Sequence, residues 1–566
     1  MKRPPDLVYG VDEKPPLAVT LFNGVQHVGI IAINLIYPLV IFKLAGASVA
    51  ATIELLSVGL VVLGIGTFIQ SSRGSPAGSG YMCPSTFTAT YFSASMLAVK
   101  TGGLPLLFGM TLFAGLLEAV VSRTLSRLRA FLPAELSGLV VFMIGITAGI
   151  SGVRLMFDAG APAVHHGEWL VAGLTLGVMV ALNVWGKGAM KMLCALIGLA
   201  IGYAATAAAG LFDAAQTSSL VAVPWIALPT LKHATWSFDL TLAATFAIAS
   251  LAAAMKAAGT ITMCQRMNDA DWVRPEPRTV TRGVLGDGLT TALAGLTGGV
   301  GTNTATPSVG VAAATGIASR HIAYAVGAIF ILLGILPKVA ALLAIMPRAV
   351  MAAGLLFSAC FILINGLQVM TSRLLDIRRT LIIGIAIIAG VAVDVFPGIV
   401  ATAPGALAPL VASSFAFATV IALGLNLLFR IGVKKTVTLT VERDAIGSAH
   451  ISDFLRTNGA KWGARPEIIS RASFAANQLV EAVADNGWNA GSLTLEASFD
   501  EFNLDVHAIY AGTPLTFPDK RPADQEIMEA DDGMARLAGY LLRHNADRIR
   551  AESKGAHAHI WFHFDH

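Results

Sequence analysis

The sequence predicts an all-α polytopic membrane protein of about fourteen spans, followed by a small α/β domain. Three observations carry this. Of 566 residues, 55% are hydrophobic and 13% are charged, roughly half the charge of an ordinary soluble domain. Apolar runs recur at lengths near 20 residues, the length a helix needs to cross hydrocarbon. From Lys434 onward this texture stops, and the chain becomes charged and histidine-bearing. Disorder is excluded, because it requires a chain poor in apolar residues and this one has a mean hydropathy of +0.69. A net charge of +4 gives no support to a nucleic-acid partner. Cys83, Cys194, Cys264 and Cys360 sit singly in apolar segments, which excludes a disulfide scaffold and reads as packing.

In chain order, residues 1–16 read as a short tail with two Pro-Pro pairs, without the apolar stretch and small-residue site of a cleaved signal. Residues 17–432 form the transmembrane domain and 436–566 the soluble one. Spans are expected at 17–42, 45–70, 80–101, 104–121, 134–156, 168–186, 188–211, 241–262, 283–301, 303–319, 322–345, 347–369, 379–396 and 406–430. If the N-terminus is cytoplasmic, the inner loops hold Arg73, Arg123, Arg127, Arg129, Lys187, Lys191, Arg266, Arg274, Arg278, Arg282, Arg320, Arg373, Arg378, Arg379, Lys434 and Lys435. The outer loops keep scattered ones such as Lys43, Lys100, Arg154 and Lys232. That bias predicts both termini on the cytoplasmic side of the inner membrane.

Two spans are poor helices. Residues 79–91 read SGYMCPSTFTATY and residues 298–310 read GGVGTNTATPSVG. Both are rich in Gly, Ser and Thr, and both carry a Pro-Ser pair, Pro84-Ser85 and Pro307-Ser308, just before helix-forming sequence resumes. Proline suits the first turn of a helix and not its interior, so each reads as an extended stretch feeding a half-helix. Such backbone is tolerated at membrane depth where protein buries it or it lines a cavity. The two lie third and tenth of fourteen, the same place in each half, which points to a transport site at their meeting. The competing reading is a pair of Gly-rich kinks for helix packing.

The membrane domain resembles the nucleobase–ascorbate transporters, the nucleobase:cation symporter-2 family of xanthine, uracil and urate permeases. The resemblance rests on Gln26-His27 in the first span and on the segment from Gly283 to Arg320. Within that segment, Pro307-Ser308-Val309-Gly310 followed by Thr315-Gly316 fits the family signature, with Ser308 where Asn is usual. The resemblance implies two inverted seven-span repeats arranged as a core and a gate domain, with substrate between the third and tenth spans. It implies a purine base, xanthine or urate, carried by alternating access. Uracil, an anion channel or exchanger of the same fold, and a transport-like sensor acting through the tail are the alternatives. It also implies an H⁺ or Na⁺ coupling ion, a homodimer and no enzymatic activity.

One departure matters. Where the family has an eighth-span glutamate that holds the base and takes part in proton coupling, this chain has Lys256; the ninth-span acid is kept as Asp287. Coupling through that glutamate therefore does not carry over. Lys256 could snorkel to the interface, or face the cavity with Asp287 as its partner and meet an anionic base. Asp287 reads as a coupling or locking group, or else as an interfacial acid. His27 suits a proton relay or a packing hydrogen bond. Substrate contacts are expected from Tyr81, Lys256, Thr306, Pro307, Ser308, Val309 and Gly310, and coupling or structural roles from Gln26, His27, Asp287, Asn303 and Thr315. Tyr81 or Phe87 could stack on a ring, or simply pack. His165 and His166 beside Glu168 read as a solvated loop, and no metal site is expected.

The tail reads as a strand (436–442), helices (448–458 and 466–485), strands (492–499 and 502–510), a helix (533–550) and a last strand (558–564). This order resembles the histidine-kinase-like ATPase fold. Glu481 matches its acid, but Asp485 replaces the expected Asn, and the adenine motif is reduced to Tyr510-Ala511-Gly512-Thr513. ATP is therefore not expected as a cofactor, and a regulatory role with a cytoplasmic partner is. His557, His559 and His563 share one face of the last strand, as an exposed polar row or as metal ligands.

Overall fold

The computed structural model describes residues 3–124, 134–157, 166–212, 220–221, 223–272, 275–371, 375, 377–396, 398–404, 407–429, 435–442, 448–462, 464, 466–486, 488–499, 503–523, 527 and 532–565. Arg127, Arg129, Arg274, Arg373, Lys434 and His165 lie outside them. The chain divides into two compact units, Met1–Asn426 and Leu427–His566.

The first unit is helical. Its elements begin with α1 (Leu17–Ile31), α2 (Ile36–Leu44), α3 (Val49–Ser71), strand β1 (Ser85–Phe87), α4 (Phe92–Val121), α5 (Ala134–Phe157), α6 (His166–Trp185) and α7 (Cys194–Ala208). They continue with α8 (Leu240–Asn268), α9 (Pro277–Leu296), strand β2 (Thr302–Thr304), α10 (Thr306–Thr315), α11 (Arg320–Gly334), α12 (Pro337–Ala344), α13 (Arg348–Met370), α14 (Ile377–Val395) and α15 (Ser414–Phe429). Among the described residues, seven helical stretches are long and apolar enough to cross a membrane, the first of them Leu17–Leu44 across α1 and α2.

Several predicted spans differ in form. The span expected at 322–345 is two helices, α11 and α12, bent by 77°. Pro337 starts the second helix and cannot extend the first, which gives the break its cause. The spans expected at 80–101 and 104–121 run together as α4, interrupted at Gly102 and at Gly103, whose φ of 70° favours glycine.

The two Gly-rich segments pair with each other. β1 and β2 run antiparallel, with Ser85 opposite Thr304, Thr86 opposite Asn303 and Phe87 opposite Thr302. Every residue of both strands is buried. The ladder satisfies backbone groups that no water reaches at this depth. Because it is antiparallel, the chain runs through β1 and β2 in opposite directions.

Close glycine contacts fix the helices around this centre. A Cβ on Gly115 of α4 would sit 2.2 Å from the Ala292 nitrogen of α9, and one on Gly288 of α9 would sit 2.7 Å from the Ala119 nitrogen of α4. Small residues of this kind let helix backbones meet in lipid, where apolar burial gives little preference for helix over tail. The N-terminal segment is docked. Val8 and Tyr9 donate from their amides to Gly316 O at 2.7 and 3.0 Å. Asp12 pairs with Arg320 at 2.6 Å and Arg73 at 3.5 Å.

The second unit holds a five-stranded antiparallel sheet in the order β3-β4-β5-β7-β6. Its elements are β3 (Lys435–Val441), α16 (Ser448–Trp462), α17 (Pro466–Asn486), β4 (Trp488–Phe499), β5 (Asn503–Gly512), α18 (Gly533–Asn545), β6 (Arg548–Lys554) and β7 (His557–Asp565). β5 and β7 alternate buried and half-exposed residues, the pattern of a sheet covered on one face. Leu479, Val483, Leu495, Val506, Ile560 and Phe562 lie in that core. The helix expected at 533–550 stops at Asn545, and the chain instead forms β6 against β7. Ile549 and Ala551 alternate there with Arg548, Arg550 and Glu552, a period of two that suits an edge strand and not a helix.

Candidate substrate site

The half-helix that follows β1 begins with a 3₁₀ turn, Ala89–Tyr91, capped by Thr88, whose hydroxyl accepts from the Thr90 amide at 3.2 Å. Lys256 of α8 donates its Nζ to the same Thr88 Oγ1 at 3.3 Å. Its ammonium is thus directed inward to the discontinuous third span rather than out to an interface. One turn further along α8, Thr260 and Thr306 share a hydroxyl–hydroxyl hydrogen bond of 2.7 Å. Thr306 is the first residue of α10. Asn303 donates from its side-chain amide to Ala253 O at 2.9 Å and accepts from Thr304 Oγ1 at 3.1 Å. Residues 253, 256 and 260 of α8 therefore contact both discontinuous segments.

This arrangement leaves room beside it. Gly259 and Gly310 have nothing within 4 Å of an added Cβ, Pro307 is exposed, and Lys256 and Thr306 are half-buried. The strip so formed presents one ammonium and threonine hydroxyls beside the N-terminus of α10. That set suits a planar molecule carrying carbonyl oxygens or a negative charge.

The remaining expected residues are distributed differently. Ser308 is buried and its hydroxyl meets His27 Nδ1 at 2.7 Å, joining α1 to α10. Gln26 directs its amide to the Met192 sulfur. Val309 packs with Tyr81, Cys83 and Cys264. Cys264 is two turns, about 12 Å, along α8 from Lys256. Tyr81 also lines a cavity of about 210 Å³ with Arg73, Glu276, Arg282 and Arg320. Tyr81 is thus brought together with that charged end and not with Lys256. Phe87 is buried against Gly59 of α3. Thr315 bonds back to Val311 O at 2.9 Å, just before Gly316 ends α10 with a φ of 67°.

The expected partnership of Lys256 and Asp287 takes another form. Among the described residues, no ion pair within 4.0 Å joins them; Lys256 bonds Thr88, and Asp287 of α9 faces Glu118 of α4. Glu118 is a residue that sequence reasoning missed. It is 0% exposed, and Tyr91 donates its hydroxyl to Glu118 Oε2 at 3.0 Å. A lone carboxylate inside the span expected at 104–121 was the available signal, since intramembrane charges face protein and find partners. Thr88 and Thr260 were also missed, although Thr88 adjoins Phe87 and Thr260 follows Lys256 by one turn. Among the described residues, no group of three or more His, Cys, Asp or Glu side chains is placed to hold a metal ion.

Residues 18–399 match a family described as "Permease family" (Xan_ur_permease). The chain belongs to that family. The permease is 28% identical over 447 residues to the xanthine permease XanP of Escherichia coli (strain K12), covering 75% of this chain and 95% of that protein. It is 26% identical over 433 residues to the uric acid permease PucJ of Bacillus subtilis (strain 168), covering 73% of this chain and 93% of that one. Among solved structures, the transmembrane domain of a cyanobacterium bicarbonate transporter, BicA, aligns with a TM-score of 0.47 and 16% identity, over 74% of this chain and 99% of that one. The permease is a multi-pass membrane transporter. Its sheet-bearing second unit lies beyond the matched residues.

Proposed function

We propose that this permease carries a purine base, xanthine or urate, by alternating access of a core against a gate domain. The observation that carries this reading is the Lys256 ammonium on the Thr88 cap, one turn from the Thr260–Thr306 contact with α10. An oxopurine offers carbonyl oxygens and, when ionised, a negative charge to those groups. The names of XanP and PucJ support the same substrate class. Thr306, Pro307 and Gly310 line the base, while Ser308, Val309 and His27 hold α10 in place. Gln26, Asn303 and Thr315 are structural in this reading. Lys256 also favours a second reading, exchange of anions through the same site.

Arg73, Arg123, Arg282, Arg320 and Arg379 mark the cytoplasmic side of the inner membrane, which puts both termini there. The permease works as a homodimer coupled to H⁺ or Na⁺. Its second unit acts as a regulatory module for a cytoplasmic partner rather than as an ATPase, because Glu481 is exposed and held by Gln478, and Tyr510 bonds the Thr513 carbonyl. Uptake of labelled xanthine, urate and uracil into cells expressing the chain tests the proposal. Saturable uptake of an oxopurine is expected, and transport of uracil or of inorganic anions alone overturns it.

A further inference from the structure

The packing of α4 against α9 buries two facing carboxyls deep in the helical unit. Gly115 and Gly288 bring these helices into backbone contact, which sets Glu118 beside Asp287. Both carboxyls are cut off from solvent, at 0% and 2% exposure. Glu118 Oε1 and both Asp287 oxygens have no hydrogen-bond partner among the described residues. Two facing carboxylates in a buried site repel each other, and one proton would supply a donor between them.

Tyr91 donates to Glu118, the Thr304 amide faces Asp287, Cys83 lies near Asp287, and Gln70 stands beside Gly286 with its side-chain amide likewise unpartnered. Lys256 is the cation that faces both carboxyls. With all three groups ionised, the cluster carries one net negative charge; one bound proton makes it neutral.

We propose that Glu118 and Asp287 share a transported proton, and that Lys256 links its binding to that of an anionic base. This rests on the purine reading above. An anion arriving at Thr88 and Thr306 neutralises the Lys256 ammonium already held at Thr88. The carboxyl pair loses its counter-charge and takes up a solvent proton, H₃O⁺ leaving as water, so that one carboxyl gains an O–H that donates a hydrogen bond to the other. Release of the anion lets the charge of Lys256 act on the pair again and returns the proton to solvent. Anion and proton then move together without net charge.

The test uses the purified full-length protein in weakly buffered detergent solution with a pH indicator, and urate as the probe. Binding of urate is expected to take up about one proton per site by linkage. In E118Q, urate binding should proceed with that uptake abolished, whereas E118D, which keeps a carboxyl, should retain it. Uptake unchanged in E118Q overturns the inference, as does urate binding by the natural protein with no proton uptake. Should E118Q fail to fold, the natural protein and E118D still decide the matter. Failure of urate and xanthine to bind at all counts against the purine reading instead.

Discussion

The two half-helices begin alike and are finished differently. The one after β1 is capped by a side chain, Thr88, which also receives the Lys256 ammonium. The one after β2 starts at Thr306 with no side-chain cap, and its Ser308 is tied to His27 Nδ1 of α1. One backbone design thus offers an end that meets an ammonium and an end braced by a histidine. The difference points to a division of labour, with the first end reading charge and the second holding shape.

Substitutions at and behind the two ends probe that division. Lys256→Gln makes the two ends alike; losing a hydrogen bond to a charged group costs about 2–3 kcal/mol, so urate affinity should fall ~30–100-fold, read by isothermal titration. Gly288→Ala pushes a methyl into the Ala119 backbone behind the charged end, and should lower thermal stability by about 2 kcal/mol, seen in a melting curve of the detergent-solubilised protein. Ser308→Ala removes one hydrogen bond to His27, worth about 1 kcal/mol, and should weaken binding only ~5-fold. A larger loss than in Lys256→Gln would reverse the assignment of roles.

The mildest effect lies in the sheet-bearing second unit. His507 is held below the ordinary histidine value by burial first, with His559 and Lys554 adding and Glu496 opposing. The folded sheet therefore binds this proton less readily than the unfolded chain. Its stability should be level above about pH 6.5 and decline as pH falls below it, a trend that hydrogen exchange at β5 and β7 would follow. His507→Asn should flatten the decline.

The helical fold and the place of its interruptions were legible because hydropathy and Gly-Pro punctuation are local signals. Residues 79–91 and 298–310 announce themselves as extended stretches before half-helices, and the structure forms β1 and β2 within them. Their pairing with each other was not legible, since register is a long-range property of chain folding. Thr306 stands out in the sequence and its partner Thr260 does not, because a contact between helices leaves no mark in either segment alone. Glu118 shows the same limit more sharply: it is a single acid in an apolar run, and its meaning comes from Asp287, which is 169 positions away in sequence. Tyr81 illustrates the converse. It adjoins the right motif, yet the chain turns between it and Thr88, so it lines the Arg320 cavity instead. In the tail, β6 was hidden because the residues around 545–550 extend a helical pattern that ends one turn earlier.

The role of Lys256 in holding an oxopurine stands or falls on uptake of labelled urate and xanthine by proteoliposomes holding the full-length protein, compared with Lys256→Gln. Saturable uptake of an oxopurine, at least tenfold weaker in the variant by loss of about 1.4 kcal/mol or more, is the predicted result. Uptake equal in both proteins, or no uptake of either base, would contradict it.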